Sequence, residues 1–278
     1  MKPNPQHVVL FHHFRRFLKA AAEEGIDAAP LKGAHLITGV YPEGEDRGQL
    51  ADVDFLVRPR DWERALRLLP KLGFEERVLP SWHPPERKTH EAGFNLDLGG
   101  GRRILFEVHR HLLEPSRFPI DHEGIWARSV VSEFDGVPCR RLAAEDHFVF
   151  GALHEVAHRL QTLAKTVRDL ELLVSRGGAD LRVVIARANE WRVRRIIWLF
   201  LSLIEDRAPH LGAGALTGSV APSPPVRIAL RLLVPDERGT RLTSFHHRIQ
   251  AALLWPWLFD DIRSVVRLVA HHPLFTPH

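Results

Sequence analysis

Apolar positions recur at helical spacing from about His7 to Glu24, at Val8, Leu10, Phe11, Phe14, Leu18 and Ala22, and Gly25 is a natural stop. A short apolar run, Ala28 to Leu31, precedes Lys32-Gly33 and a second, small-residue helix reaching Val40. Tyr41 to Gln49 is rich in Gly, Pro and charge and reads as a loop. From Ala51 to Val57 acidic and apolar residues alternate, with Asp52, Val53, Asp54 and Phe55 in succession, which is the period of a β-strand. Pro59 to Leu72 is amphipathic, with Trp62, Ala65, Leu66 and Leu69 on one face, and ends before Gly73. Phe74 to Leu79, Phe94 to Leu98 and Arg103 to His109 read as three further strands. The last two are joined by Gly99-Gly100-Gly101, which lacks the strand-to-helix setting of a dinucleotide loop and is expected to be a hairpin turn.

The pattern changes after about Arg141. Helical periodicity dominates Ala143 to Leu163, Ala164 to Ser175, Ala179 to Trp191 and Val193 to Ile204. His210 to Pro225, rich in Gly, Pro and Ser, reads as a long loop, and two more helices are expected near Val226 to Val234 and Ser244 to Leu268. The expected class is α/β (α+β). A lobe spanning residues 1–141 is followed by a mainly helical lobe spanning 142–278, with the functional cleft between them. A length of 278 residues suits two such lobes.

Composition narrows the class without choosing a chemistry. With 45% hydrophobic and 26% charged residues the chain is that of an ordinary globular protein. Its 38 Lys and Arg exceed 34 Asp and Glu only slightly, and no basic run or dedicated DNA-binding motif is seen. Cys139 is the single cysteine, which excludes an internal disulfide and a cysteine zinc cluster. Met1 to Val9 carries no apolar signal core, and the apolar stretch Ile196 to Ile204 is too short to span a bilayer. A cytoplasmic protein with no membrane partner is expected.

The most informative local feature is Asp52-Val53-Asp54. Residues i and i+2 of a strand share a face, so both carboxylates point one way while Val53 and Phe55 enter the core. Carboxylates held so close repel unless a cation lies between them. Mg²⁺ suits such a place, because it takes oxygen ligands from one or two carboxylates together with substrate phosphates. A third acid from a neighbouring strand would complete the set, and Glu107 in Leu105-Phe106-Glu107-Val108-His109 fits. Upstream, Lys32-Gly33-Ala34 lies where a strand meets a helix, so its backbone N–H groups could hold phosphate, and Arg47 has no obvious core role. The competing reading of an isolated D-x-D is a solvated strand face.

Taken together, Leu31-Lys32-Gly33-Ala34, Tyr41-Pro42, Arg47, Asp52 to Val57 and Phe106-Glu107-Val108-His109 resemble the uncharacterised nucleotidyltransferase family of the DNA polymerase beta-like superfamily. The likeness runs on through Leu142, His154, His158 and Val167-Arg168-Asp169-Leu170, covering roughly Leu31 to Val174. The resemblance implies a nucleotidyltransferase-fold lobe with a mixed sheet. It implies Asp52, Asp54 and Glu107 as metal-binding and catalytic residues, with Mg²⁺ as the cofactor and Mn²⁺ as the alternative ion. Lys32, Gly33, Ala34, Arg47, His109, His154 and Asp169 would meet the nucleotide. The implied partners are an NTP, with ATP favoured, and an unidentified hydroxyl acceptor on a small molecule, a protein or an RNA end. Lys32-Gly33-Ala34 replaces the Gly-Ser pair of the wider superfamily, so the phosphates are expected to be held differently in detail.

Two other readings remain. His154-Glu155-Val156-Ala157-His158 matches H-E-x-x-H, in which two imidazoles one helical turn apart hold Zn²⁺ and the glutamate activates water. The extended form with a Gly and a third His is absent from Arg159 to Ala164, although Asp169 or Glu171 could supply a third ligand. A catalytically degenerate module that binds a nucleotide or a partner is the other alternative. His109 and His111 share a strand face and could approach the nucleotide or a metal, with His111 expected at the edge.

Overall fold

A computed structural model of the chain describes residues 4–77, 90–113, 115, 118–158, 160–234, 253–254 and 256–260. Two compact units result, residues 1–114 with 121–143, and residues 115–120 with 144–278.

The first unit is built on a five-stranded mixed sheet. Its elements are α1 (Pro5–Glu23), β1 (Ala28–Pro30), α2 (Lys32–Gly39), β2 (Asp52–Val57), α3 (Trp62–Lys71), β3 (Glu75–Glu76), β4 (Glu91–Asp97), β5 (Arg103–His109), α4 (His122–Arg128), β6 (Val130–Phe134) and β7 (Val137–Arg141). The sheet runs in the order β1-β2-β5-β4-β3, with β2 and β5 parallel and the other neighbours antiparallel. A parallel pair cannot be joined by a tight turn, and here α3, β3 and β4 supply the crossover.

Alternation along β2 and β5 divides the chemistry of the sheet. Val53, Phe55 and Val57, with Ile104, Phe106 and Val108, enter the core and pack against Phe14 and Phe17 of α1. The Phe17 and Phe55 rings lie 4.5 Å apart. Each such buried side chain stabilises the fold by about 1.5–3 kcal/mol. With the apolar positions committed to one face, Asp52, Asp54, Glu107 and His109 share the other.

Helix α1 begins on Asn4, whose side chain accepts from the Gln6 N–H, with Pro5 at the first helical position. Its buried stripe runs through Leu10, Phe14, Phe17, Leu18 and Ala21, whereas Val8 is exposed. Strands β6 and β7 and helix α4 arise where periodicity predicted no element. Asp135 and Gly136, with φ of +50° and +75°, make the two-residue turn that a tight hairpin requires. Asp121 caps α4 by accepting from the Gly124 N–H at 2.9 Å.

The second unit is helical: α5 (Ala144–Ala157), α6 (Leu163–Ser175), α7 (Leu181–Glu190), α8 (Arg194–Arg207), α9 (Ala213–Val220) and α10 (Pro224–Leu233). The helix expected to reach Leu163 ends at Ala157, and Leu160 adopts a left-handed φ of +55° before α6 begins. The loop expected over His210 to Pro225 contains α9. Its Gly214 donates to Glu205 Oε2 at 2.6 Å, where a Cβ would stand 2.6 Å from the Glu205 carboxyl carbon. The helix expected over Ser244 to Leu268 lies largely outside the described residues. Among the described residues no helix is long and apolar enough to cross a membrane.

Candidate active site

Three backbone relations assemble the site. In the parallel β2–β5 pair, Asp54 is directly opposite Glu107, while Asp52 is opposite Leu105 and His109 is opposite Leu56. Strand β1 runs antiparallel to β2 with Pro30 opposite Phe55, and the Leu31 N–H then donates to the Asp54 carbonyl at 2.9 Å. The next residue, Lys32, takes a left-handed φ of +43° and opens α2. Such a φ in a non-glycine residue costs about 1–2 kcal/mol. It brings the Lys32 ammonium onto the acidic face.

Lys32 Nζ donates to Asp54 Oδ1 at 2.6 Å, and the same oxygen lies 3.0 Å from His109 Nε2. The Asp54 and His109 side chains are only 4% and 3% exposed, so these contacts are made away from water. One ligand atom each from Asp54, Glu107 and His109 lie within 4.8 Å of one another. Among the described residues this is the one group of three or more His, Cys, Asp or Glu side chains so gathered. Two carboxylates and an imidazole are a donor set that fits a divalent cation.

The electrostatics of the group separate the two acids. Burial alone would raise the Asp54 carboxyl, but the Lys32 charge and the His109 hydrogen bond hold it well below the usual carboxylate range. Burial and then the negative charge of Asp54 push Glu107 up to about 7, against the opposing charges of Lys32 and His109. Burial favours deprotonation of Lys32, yet the charges of Asp54, Glu107 and Asp52 outweigh it and raise the ammonium above its ordinary value. Asp54 is therefore a fixed anion, and Glu107 can take or give a proton near neutral pH.

The other expected residues lie outside this three-residue group. Asp52 is half-buried one pleat away from Asp54 and acts on Lys32 and Glu107 through its charge, outside the three-residue group. Gly33 and Ala34 are buried in the first turn of α2. Gly33 allows a close approach: a Cβ there would lie 2.7 Å from Arg47 Nη1 and collide with Leu50 Cδ2. The segment carrying Arg47 is anchored to α1, where Gln6 Nε2 donates to the Leu50 carbonyl at 2.6 Å and His7 Nε2 meets the Gly48 carbonyl at 3.0 Å. Arg47 also lines a cleft of about 890 Å³ with Thr38, Tyr41, Glu43 and Asp46. His111 is half-buried with its ring 4.4 Å from that of His122.

His154 and Asp169 belong to the second unit. The His154 ring stacks on His158 at 4.1 Å and meets Phe150 edge-on at 5.7 Å. Asp169 is buried in α6. Glu155, the would-be base of the H-E-x-x-H run, is committed elsewhere. Its carboxylate accepts from Thr162 N and Thr162 Oγ1, each at 2.6 Å, and from Thr166 Oγ1 at 2.8 Å. It thus satisfies the opening of α6, and His158 lies beyond the end of α5. The residues match the zinc helix in sequence and their imidazoles lie together, but among the described residues no third ligand is gathered with them, and the glutamate is committed to Thr162 and Thr166.

His109 in contact with Asp54 is the site relation that motif spacing left open, since it depends on the β2–β5 register. The acid-x-His pattern on one strand face was the available signal.

Comparison with known proteins gives this geometry a class. The sequence model of a family described as uncharacterised nucleotidyltransferase matches residues 5–209. The chain belongs to this family. Membership makes it an enzyme of the nucleotidyltransferase class. No curated protein matches the chain. Two solved structures are similar at low identity. A solution structure of the antibiotic-resistance factor ANT(2'')-Ia is 13% identical with a TM-score of 0.41, covering 66% of this chain and 91% of that one. An antigenic nucleotidyltransferase-like protein from Paracoccidioides brasiliensis is 15% identical with a TM-score of 0.48, covering 76% of this chain and 91% of that one.

Proposed function

We propose that this nucleotidyltransferase moves a nucleotide, AMP from ATP in the first instance, onto a hydroxyl group, using the buried face of β2 and β5. The observation that carries the proposal is the gathering of Asp54, Glu107 and His109 on one face of the parallel β2–β5 pair, with the Lys32 ammonium on Asp54. Asp54 and Glu107, with Asp52 beside them, are the residues that would hold a divalent cation, Mg²⁺ or Mn²⁺. When bound, that ion supplies positive charge to the reacting phosphate oxygens.

The protein's own groups do the rest. Lys32, the backbone N–H groups of Gly33 and Ala34, and Arg47 neutralise and orient the triphosphate. Glu107 accepts the proton of the attacking hydroxyl as its oxygen bonds to the α-phosphorus. The bond from that phosphorus to the bridging oxygen breaks, and pyrophosphate departs with the electron pair. The cytoplasm, where NTP is held, is the compartment this reading favours. A lone buried Cys139 agrees with a chain that does not depend on disulfides.

The acceptor would be a small-molecule alcohol, a protein side chain or an RNA end. The test is transfer of label from α-³²P-ATP to a panel of those three classes by wild type, Asp54→Asn and Glu107→Gln. Label moved by the wild type and lost in both variants supports the proposal, and undiminished transfer by Asp54→Asn refutes it. A second reading, a module that binds nucleotide without turnover, draws on the placement of the Lys32 ammonium on Asp54, where a cation would otherwise sit. ATP binding with no transfer to any acceptor would favour it.

A further inference from the structure

We propose that His109 is itself a metal ligand and that it biases the site toward Mn²⁺ over Mg²⁺. This rests on the proposed function, because it concerns the ion held by the same carboxylates. His109 follows Glu107 by two residues on β5, so both side chains leave one face of the strand. The imidazole is buried, its Nε2 is 3.0 Å from Asp54 Oδ1, and it belongs to the gathered group with Asp54 and Glu107.

One role of His109 is its hydrogen bond to Asp54, made beside the Lys32 charge 2.6 Å from the same oxygen. The far side of the ring points to a different role. His109 Nδ1 is buried without a hydrogen-bond partner. The carboxylate of Glu91, directly across the β4–β5 ladder from His109, lies 4.0 Å from it. A carboxylate behind the distal nitrogen of an imidazole is the arrangement that fixes the tautomer of a metal-binding histidine and aims its other nitrogen at the ion. The same Glu91 oxygen lies 3.6 Å from His90 Nε2; turned to His109 Nδ1 instead, it accepts the ring proton there, the Nε2 hydrogen bond to Asp54 is given up, and the Nε2 lone pair faces Asp54 and Glu107. Glu91 is then a positioning residue, acting through His109.

The donor set decides the ion. Mg²⁺ takes oxygen ligands almost exclusively and holds its waters, whereas later first-row ions accept an imidazole nitrogen with rising affinity. Against Mg²⁺, two carboxylates and one imidazole therefore favour a first-row ion, and among these Mn²⁺ is the one that also takes the oxygen-rich octahedral set of a phosphate site.

Pulsed EPR of the full chain loaded with Mn²⁺ tests this without reference to turnover. The expected wild-type spectrum shows ¹⁴N coupling from one coordinated imidazole, and Mg²⁺ displaces the ion only when in excess. The coupling disappears in His109→Asn, and Glu91→Gln weakens Mn²⁺ affinity about ten- to a hundredfold. Because His109 is buried and its variant could fail to fold, the wild-type spectrum is read as evidence by itself. Mn²⁺ that is lost in Asp54→Asn but shows no ¹⁴N coupling in the wild type overturns the inference and leaves the proposed function standing. Coupling that persists in folded His109→Asn also overturns it. Absence of any ion that depends on Asp54 overturns both.

Discussion

Replacing Lys32 by Met removes one charge of a buried pair while keeping most of its aliphatic bulk. At 2.6 Å and an effective dielectric of 20 the gross attraction to Asp54 is about 6 kcal/mol. Much of that offsets desolvation, because the two side chains are only 18% and 4% exposed. Breaking one side of such a pair costs about 3–5 kcal/mol. His109 still meets Asp54 after the change, and the left-handed φ at residue 32 is equally strained for Met, so the lower end applies. A loss of about 3 kcal/mol lowers the midpoint of thermal unfolding by roughly 6–12 °C for a chain of this size. The assay is thermal unfolding of wild type and Lys32→Met, first in a chelator and then with Mg²⁺ or Mn²⁺. An ion bound by the folded site alone returns about 2.7 kcal/mol at a hundred times its Kd. The variant, whose carboxylates have lost their internal cation, gains more from the ion than the wild type does. Midpoints within about one degree of each other in chelator would refute the description of Lys32 and Asp54 as a buried pair.

Three further outcomes are expected. Gly33→Ala forces Arg47 and Leu50 apart and costs about 1–3 kcal/mol, with a raised KM for the nucleotide; unchanged stability and KM would show that the close approach does not matter. His35, buried in α2, has its imidazole pulled down to about 4 by burial and then by the charge of Arg141, so the folded state binds that proton more weakly than the unfolded chain. Its contribution, about 3 kcal/mol, is complete above pH ~6.5 and is lost as pH falls toward about 4. Denaturant unfolding of wild type minus His35→Asn across that range reads it, cancels the opposite slope from the raised Glu107 common to both proteins, and contradicts it if the two profiles are parallel. Glu155→Ala strips three hydrogen bonds from the start of α6 and costs about 2–4 kcal/mol; a tight Zn²⁺ site in calorimetry of the wild type that is lost in His154→Ala would instead revive the metalloprotease-like reading.

What was legible in the sequence follows from which interactions are local. Period-two alternation placed Asp52 and Asp54 on one face and Val53 and Phe55 in the core, because the pleat alone decides that. The Lys32-Gly33 corner was readable from a strand meeting a helix, although its left-handed φ was not. The partners of Asp54 depend on register across residues far apart in the chain, so His109 at 3.0 Å and Glu91 behind it could not be ranked by spacing. The β6–β7 hairpin carried an Asp-Gly signal at 135–136, but its strands are short and lack clean alternation. The H-E-x-x-H run brings its two imidazoles together as the spacing implies, but among the described residues no third ligand joins them and Glu155 serves Thr162 and Thr166, relations that spacing does not reveal.

The most direct test that Asp54 anchors an ion-dependent nucleotide site is calorimetric titration of chelator-treated wild type and Asp54→Asn with ATP, with and without divalent ion. Ion-dependent ATP binding in the wild type that disappears in the variant is the predicted result. Equal ATP binding by both proteins, or binding indifferent to the ion, would contradict it.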